Sequence, residues 1–209
     1  MKIQIISGKT DQYILYIPGY PRVQPNPPRL SPIDDMKDDD LQTLHTNSSS
    51  CHNTYGAIHV TMDREDYLDP IDQIVKQLGV PNCILVVAHS LGCLYALKIA
   101  ALYPHIYNKL LLIDPVVKCP EYHEYLSKNY PERLQHYNLL PDHTDIKSKI
   151  IIRIHYNYTT ENSYKIPHLY KLVNKNTQSQ LILYDNVGHI LHRRKSENIM
   201  NSIEELLRI

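Results

Sequence analysis

The spacing of apolar and polar residues changes several times along the chain, and each change marks a predicted element. Two short apolar runs, KIQIIS and QYILYIP, flank a Gly-Lys-Thr-Asp turn and predict a hairpin. Further strands are predicted for GAIHVTMD, NCILVVAH, KLLLIDP, SKIIIRIH and SQLILYDN. Helical spacing is found in LDPIDQIVKQLG, LGCLYALKIAALYP, IPHLYKLVNKN and SENIMNSIEELLRI. Strand and helix patterns therefore alternate through most of the chain.

This alternation predicts an α/β fold. Strands separated by helices form right-handed crossovers onto a mostly parallel sheet that is covered by helices on both faces. The length of 209 residues suits a single domain, residues 1–209, with two interruptions. Residues 21–54, rich in Pro, Asp, Ser and Asn, predict a long loop insertion, and residues 117–147, rich in Tyr, Pro and charges, have only weak helical spacing.

Charge and cysteine content exclude several classes of function. Lys plus Arg equals Asp plus Glu at 22 each, so no overall field attracts nucleic acid. The first residues lack the apolar core of a signal peptide, and no segment reaches the length of a transmembrane helix. The four cysteines match no zinc signature, which predicts free thiols in a reducing compartment and a cytoplasmic location.

The stretch VVAHSLGC carries the strongest chemical signal. AHSLG differs from the G-x-S-x-G nucleophile elbow only at Ala88, and it follows an apolar strand and begins an apolar helix, as the motif requires. The sharp turn needs small residues two before and two after the nucleophile; Gly92 satisfies one position, and Ala88 adds a single methyl at the other. Ser90 is therefore predicted to be a nucleophile rather than only a helix N-cap.

AHSLG, the later GHILH and the strand–helix order between them resemble the α/β-hydrolase superfamily, in its lipase and esterase-like branch. The resemblance implies the α/β-hydrolase fold and a general base on the loop before the final helix. Gly188-His189 is at this position, and His192 is the less favoured substitute. A neutral imidazole can accept the Ser90 proton and return it to the leaving group.

Two carboxylates compete as the acid that orients His189. The resemblance implies a pattern like H-G-x-x-D after the next-to-last strand, where IHYNYTTENS offers His155 but Thr159 at the position of the acid. The nearest carboxylate there is Glu161, and Asn157 offers only a neutral acceptor. Another branch carries its acid one strand earlier in L-D-P, which resembles LLLIDP and favours Asp114.

The resemblance also implies an oxyanion hole and a lid. Two backbone N–H groups are expected, from Leu91 after the nucleophile and from Tyr20 in YIPGYP. Residues 117–147 are the probable cap, whose Tyr122, Tyr125, Leu126, Tyr130 and Leu134 would wall the pocket.

The predicted function is a serine hydrolase that cleaves a small-molecule carboxylic ester or thioester through a Ser-Asp-His triad and an acyl-enzyme, with no cofactor and no metal. The sequence departs from the family pattern at Ala88, at Pro18 and after the penultimate strand. A catalytically silent binding protein on the same scaffold is therefore an alternative. An acyltransferase or lyase using the same triad is also left open.

Overall fold

A computed structural model of the chain describes residues 2–19, 44, 54–61, 82–129, 131, 134–138 and 141–209. Within these ranges one sheet is built from β1 (Lys2–Ile6), β2 (Gln12–Ile17), β3 (Gly56–Thr61), β4 (Asn82–His89), β5 (Lys109–Ile113), β6 (Ile151–Tyr158) and β7 (Gln180–Asp185). The spatial order is β1-β3-β2-β4-β5-β6-β7. Only β1 is antiparallel to its neighbour, so the predicted mostly parallel sheet is confirmed.

The described ranges contain the predicted helices after β4, after β6 and at the end of the chain, together with three further helices that the sequence does not predict. In chain order the helices are α1 (Gly92–Leu102), α2 (Pro120–Asn129), α3 (Leu134–Asn138), α4 (Ile166–Val173), α5 (Leu191–Arg194) and α6 (Ser196–Arg208), with short 3₁₀ turns at His143–Asp145 and Ser163–Lys165. The helix predicted for LDPIDQIVKQLG and nearly all of segment 21–54 lie outside the described residues. No helix in the described ranges is long and apolar enough to cross a membrane.

The predicted hairpin between β1 and β2 is wrong. β3 lies between the two strands, antiparallel to β1 and parallel to β2. The Gly-Lys-Thr-Asp turn does exist, but Thr10 donates from its backbone N–H and its hydroxyl to the carbonyl of Thr54, just before β3. The turn is therefore fixed to the start of a third strand, and this contact is made by residues far apart in sequence.

Alternate side chains of β4 enter the two halves of the core. Val86 and Ala88 pack with α1 on one face, and Leu85 and Val87 pack with α6 on the other. A strand that is buried on both faces must be apolar throughout, which explains the unbroken run NCILVVAH. The carboxyl ends of β4, β5, β6 and β7 consequently lie side by side at one edge of the sheet, where α/β proteins bind their ligands.

Candidate active site

Ser90 occupies the tight turn between β4 and α1. Its φ angle is 51°, in the left-handed region that non-glycine residues rarely adopt. The turn is held by two backbone hydrogen bonds, from Ser90 N–H to the carbonyl of Ile113 (2.9 Å) and from Cys93 N–H to the carbonyl of Ser90 (3.2 Å). A strained turn that is fixed by its surroundings is frequent at functional sites.

The residues around this turn have to be small. A Cβ at Gly92 would lie 2.3 Å from the carbonyl oxygen of Pro18, so no side chain fits there. A Cβ at Gly19 would lie 2.9 Å from Cβ of Ser90, which places the segment after β2 directly against the Ser90 turn. Ala88 is fully buried in the core beside α1, and its methyl group is accommodated in this turn.

The structure brings the three sequence-predicted side chains Ser90, His189 and Asp114 into contact. His189 Nε2 lies 3.0 Å from Ser90 Oγ, and His189 Nδ1 is hydrogen-bonded to Asp114 Oδ2. A proton on Nδ1 that is donated to Asp114 leaves Nε2 as the acceptor for the serine hydroxyl. The side chain of His189 is 45% exposed and that of Asp114 only 10%, so the imidazole is open to a ligand while the carboxylate is shielded.

Backbone groups at the ends of β5 and β6 hold Asp114. Its φ is 46°, and its N–H donates to the carbonyl of His155 at 2.7 Å. The N–H of Asn157 donates to Asp114 Oδ1 at 3.2 Å, so both carboxylate oxygens are engaged. Glu161, the alternative acid, is exposed in the turn after β6 and, within the part of the chain that is described, makes no ion pair with His189.

Asn157 connects the acid to the histidine loop, a role that sequence reasoning missed. Its side-chain oxygen accepts hydrogen bonds from the N–H groups of Val187 (2.7 Å) and Gly188 (2.9 Å), immediately before His189. Asn157 is nearly buried, and its own carbonyl accepts from Asn162 Nδ2. An amide in a strand that is buried almost throughout was the available signal, because a buried amide must find partners.

A second missed feature is a cluster of imidazoles behind His189. His89, the last residue of β4, donates from Nε2 to the carbonyl of His189 at 3.1 Å. The His89 ring centroid lies 4.7 Å from those of both His189 and His192. His192 is buried in this cluster, so it supports the loop and does not replace His189 at the serine.

His155, a polar residue near the end of β6, makes its contacts inside the protein. His155 is buried and bonds to the Tyr184 hydroxyl and to Ser202 Oγ, both at 2.8 Å. Burial, aided by the nearby charge of Arg153, lowers the pKa of His155 to about 4, which keeps this imidazole neutral. His155 therefore belongs to the core.

Lys165, whose pKa is affected by the charge of Asp114, contacts two tyrosine rings. Lys165 Nζ lies 4.4 Å from the ring centroid of Tyr122 and 5.8 Å from that of Tyr164. Burial lowers the pKa of Lys165, and the charge of Asp114 opposes this shift. Among the other predicted wall residues, Tyr125 is exposed, Leu126 is buried in the core, and Tyr130 lies outside the described ranges.

One of the two predicted oxyanion donors is described. Leu91 directly precedes α1, so its N–H is at the positive end of the helix dipole, next to Ser90. Tyr20 lies outside the described residues. The contact between Gly19 and Ser90 brings the chain to Ser90 one residue before Tyr20.

Comparison with solved structures identifies the fold. A thermophilic esterase from Thermogutta terrifontis has 14% identity and a TM-score of 0.60, over 99% of this chain and 92% of that one. A monoacylglycerol lipase from Paleococcus ferrophilus has 11% identity and a TM-score of 0.65, over 99% of this chain and 98% of that one. An epoxide hydrolase from Bacillus megaterium has 12% identity and a TM-score of 0.58, over 99% of this chain and 97% of that one.

In sequence comparisons no protein-family model and no curated protein matches the chain. The structural likeness and the sheet order together show that the chain has the α/β-hydrolase fold.

Proposed function

We propose that this chain is a serine hydrolase that cleaves carboxylic esters or thioesters. Ser90 is the nucleophile, His189 the general base and Asp114 the acid that orients the imidazole. The observation that carries the proposal is that one imidazole, His189, contacts the Ser90 hydroxyl through Nε2 and the Asp114 carboxylate through Nδ1. Because a fold supports many chemistries, this arrangement of residues is a stronger argument than the fold.

The proposed reaction has two halves. His189 removes the proton from Ser90 as its oxygen attacks the carbonyl carbon, and the imidazolium then protonates the leaving alcohol or thiol. The backbone N–H groups of Leu91 and Tyr20 stabilise the oxyanion. Water, deprotonated by the same imidazole, hydrolyses the acyl-enzyme and regenerates Ser90.

The proposed substrate class rests on the open site and on the aromatic side chains around Lys165. His189 is about half exposed, and Lys165, whose pKa is affected by the charge of Asp114, contacts the rings of Tyr122 and Tyr164. We propose that segments 117–147 and 21–54 act as a cap, so that small or medium acyl groups fit better than peptides. The esterase and the monoacylglycerol lipase among the similar structures are in line with an acyl substrate.

The proposed location is the cytoplasm. Cys83, Cys93 and Cys119 are free thiols, and all three are buried. Burial raises the pKa of Cys83 to about 12, so this thiol is unreactive and gives no disulfide. A reducing compartment agrees with these side chains.

The proposal is tested by active-site labelling. A fluorophosphonate probe should label the wild-type chain and Ser127→Ala, an exposed serine on α2, but not Ser90→Ala. Turnover of nitrophenyl esters of increasing acyl length then measures the size of the pocket. Absence of both labelling and turnover in the folded wild type would refute the proposal and favour a silent binding protein.

A further inference from the structure

Three metal-ligating side chains converge where α2 begins beside α4, and the proposed hydrolysis uses none of them. Cys119 immediately precedes α2, Glu121 lies in its first turn, and His168 projects from α4. One ligand atom from each, a thiol sulfur, a carboxylate oxygen and an imidazole nitrogen, lies within 4.8 Å of the other two.

The distance between His168 and Glu121 suits two ligands of one ion better than a direct hydrogen bond. His168 Nε2 lies 3.8 Å from Glu121 Oε2, which is longer than an ordinary hydrogen bond. Two ligands of one tetrahedral zinc ion are about 3.3–3.8 Å apart, given Zn–N and Zn–S bonds of about 2.0–2.3 Å. The three ligand atoms are thus close enough together to share one ion after small side-chain movements.

Two of the three ligands are fixed by the fold, and the third is adjustable. The hydroxyl of Tyr137 accepts from the N–H of Cys119 at 2.7 Å and donates to its carbonyl at 2.6 Å. His168 is on α4, whose Leu169 is fully buried in the core. The side chain of Glu121 is 54% exposed, so it can adjust to complete the coordination.

We propose that Cys119, Glu121 and His168 form a zinc site whose fourth ligand is water. A thiolate and a carboxylate carry two negative charges, which Zn²⁺ neutralises, and the imidazole adds none. A sulfur ligand disfavours Mg²⁺ and Ca²⁺, whereas sulfur, nitrogen and oxygen together suit zinc. Zinc binding breaks the S–H bond of Cys119, forms a Zn–S bond and releases one proton to solvent.

A carboxylate, Glu121, and an ammonium, Lys165, both lie near Cys119. The charge of the bound ion would be balanced by the thiolate and by Glu121. The bound ion would connect α2 to α4 and stabilise the folded chain against unfolding.

Cobalt substitution tests the site directly. The metal-free full chain, titrated with Co²⁺, should bind one ion per chain and develop a thiolate-to-cobalt charge-transfer band. The band should be absent in Cys119→Ser, and binding should weaken at least tenfold in Glu121→Gln and His168→Ala. Glu124→Gln, at an exposed neighbouring position on α2, is the matched control and should bind like wild type.

Zn²⁺ melting curves provide a second measurement that does not depend on the spectroscopic band. Zn²⁺ should raise the Tm of the wild type and of Ser90→Ala equally, and should not raise that of His168→Ala. The equal response of Ser90→Ala separates this site from the proposed hydrolysis. A wild type without the cobalt–thiolate band, or a band that persists in Cys119→Ser, would overturn the proposal. If Cys119→Ser does not fold, unchanged Co²⁺ affinity in His168→Ala would overturn it as well.

Discussion

Replacing Asn157 by alanine removes the side chain that links β6 to the loop before His189. The N–H groups of Val187 and Gly188 lose their acceptor, whereas the hydrogen bond from the backbone N–H of residue 157 to Asp114 is retained. The variant therefore separates the support of the His189 loop from the support of the carboxylate.

The expected loss of stability in Asn157→Ala follows from these two hydrogen bonds. An unsatisfied buried N–H group costs about 1–3 kcal/mol. Val187 and Gly188 are both partly exposed, so water can compensate in part, and we expect a loss of about 2–4 kcal/mol in unfolding free energy for the pair. A displacement of about 1 Å in a reacting group can cost about 100-fold in rate, so kcat/KM should fall by about two orders of magnitude.

Asn157→Asp provides the conservative comparison. Its carboxylate keeps both hydrogen bonds to the loop, so we expect most of the stability to be retained. It also adds a negative charge close to His189, which stabilises the imidazolium that forms during the reaction. Asn157→Asp should therefore keep most of the kcat/KM that Asn157→Ala loses, and this recovery separates positioning of His189 from loss of packing.

Urea unfolding and ester hydrolysis, measured below the unfolding transition of each variant, provide the assay. Asn198→Ala, an exposed position on α6, is the matched control and should leave both quantities unchanged. If Asn157→Ala loses stability but keeps kcat/KM within about twofold of wild type, the side chain does not position His189 and the reasoning fails.

Other variants test separate parts of the structure. Asp114→Asn should lower kcat by about 10⁴-fold, as expected when the orienting acid is lost, whereas Glu161→Gln should have little effect on ester turnover; the reverse result would move the acid to the turn after β6. The pKa of His155 is lowered to about 4 in the folded chain, so the unfolded chain binds more protons between about pH 4 and 6.5. Stability should therefore fall by about 2–3 kcal/mol as the pH falls through this window. The urea midpoint of His155→Gln should change less with pH than that of the wild type if the buried imidazole is the cause. Among the described residues nothing bonds to the buried Tyr107 hydroxyl, so Tyr107→Phe should leave Tm unchanged or raise it, and a clear decrease would reveal a partner.

The sequence was most informative where local pattern and burial coincide. β4 and α1 were predicted because a strand that is buried on both faces is apolar throughout, and because the following helix ends just before Pro104. Ser90 and His189 could be singled out for a similar reason. Each lies within a short motif whose glycine, Gly92 or Gly188, is needed by the local backbone.

Contacts between residues far apart in the sequence were harder to predict. Two carboxylates were compatible with the sequence, and only the contact between His189 and Asp114 distinguishes them. The sequence identifies Asn157 only as a neutral acceptor. Its partners could not be predicted, because Val187 and Gly188 are on a loop that follows the next strand. The wrong hairpin has the same origin, because β3 enters between β1 and β2 from a distant part of the chain.

The sequence alone thus determined the strands of the described sheet, the helices after β4, β6 and β7, and which serine is in a sharp strand-to-helix turn. These features depend on side-chain periodicity and on backbone freedom over a few residues. Only the tertiary structure decided which acid meets His189, how Asn157 joins two strand ends, and that Cys119, Glu121 and His168 converge. Such contacts depend on the order and register of strands in the sheet, which long-range packing sets and no single segment encodes.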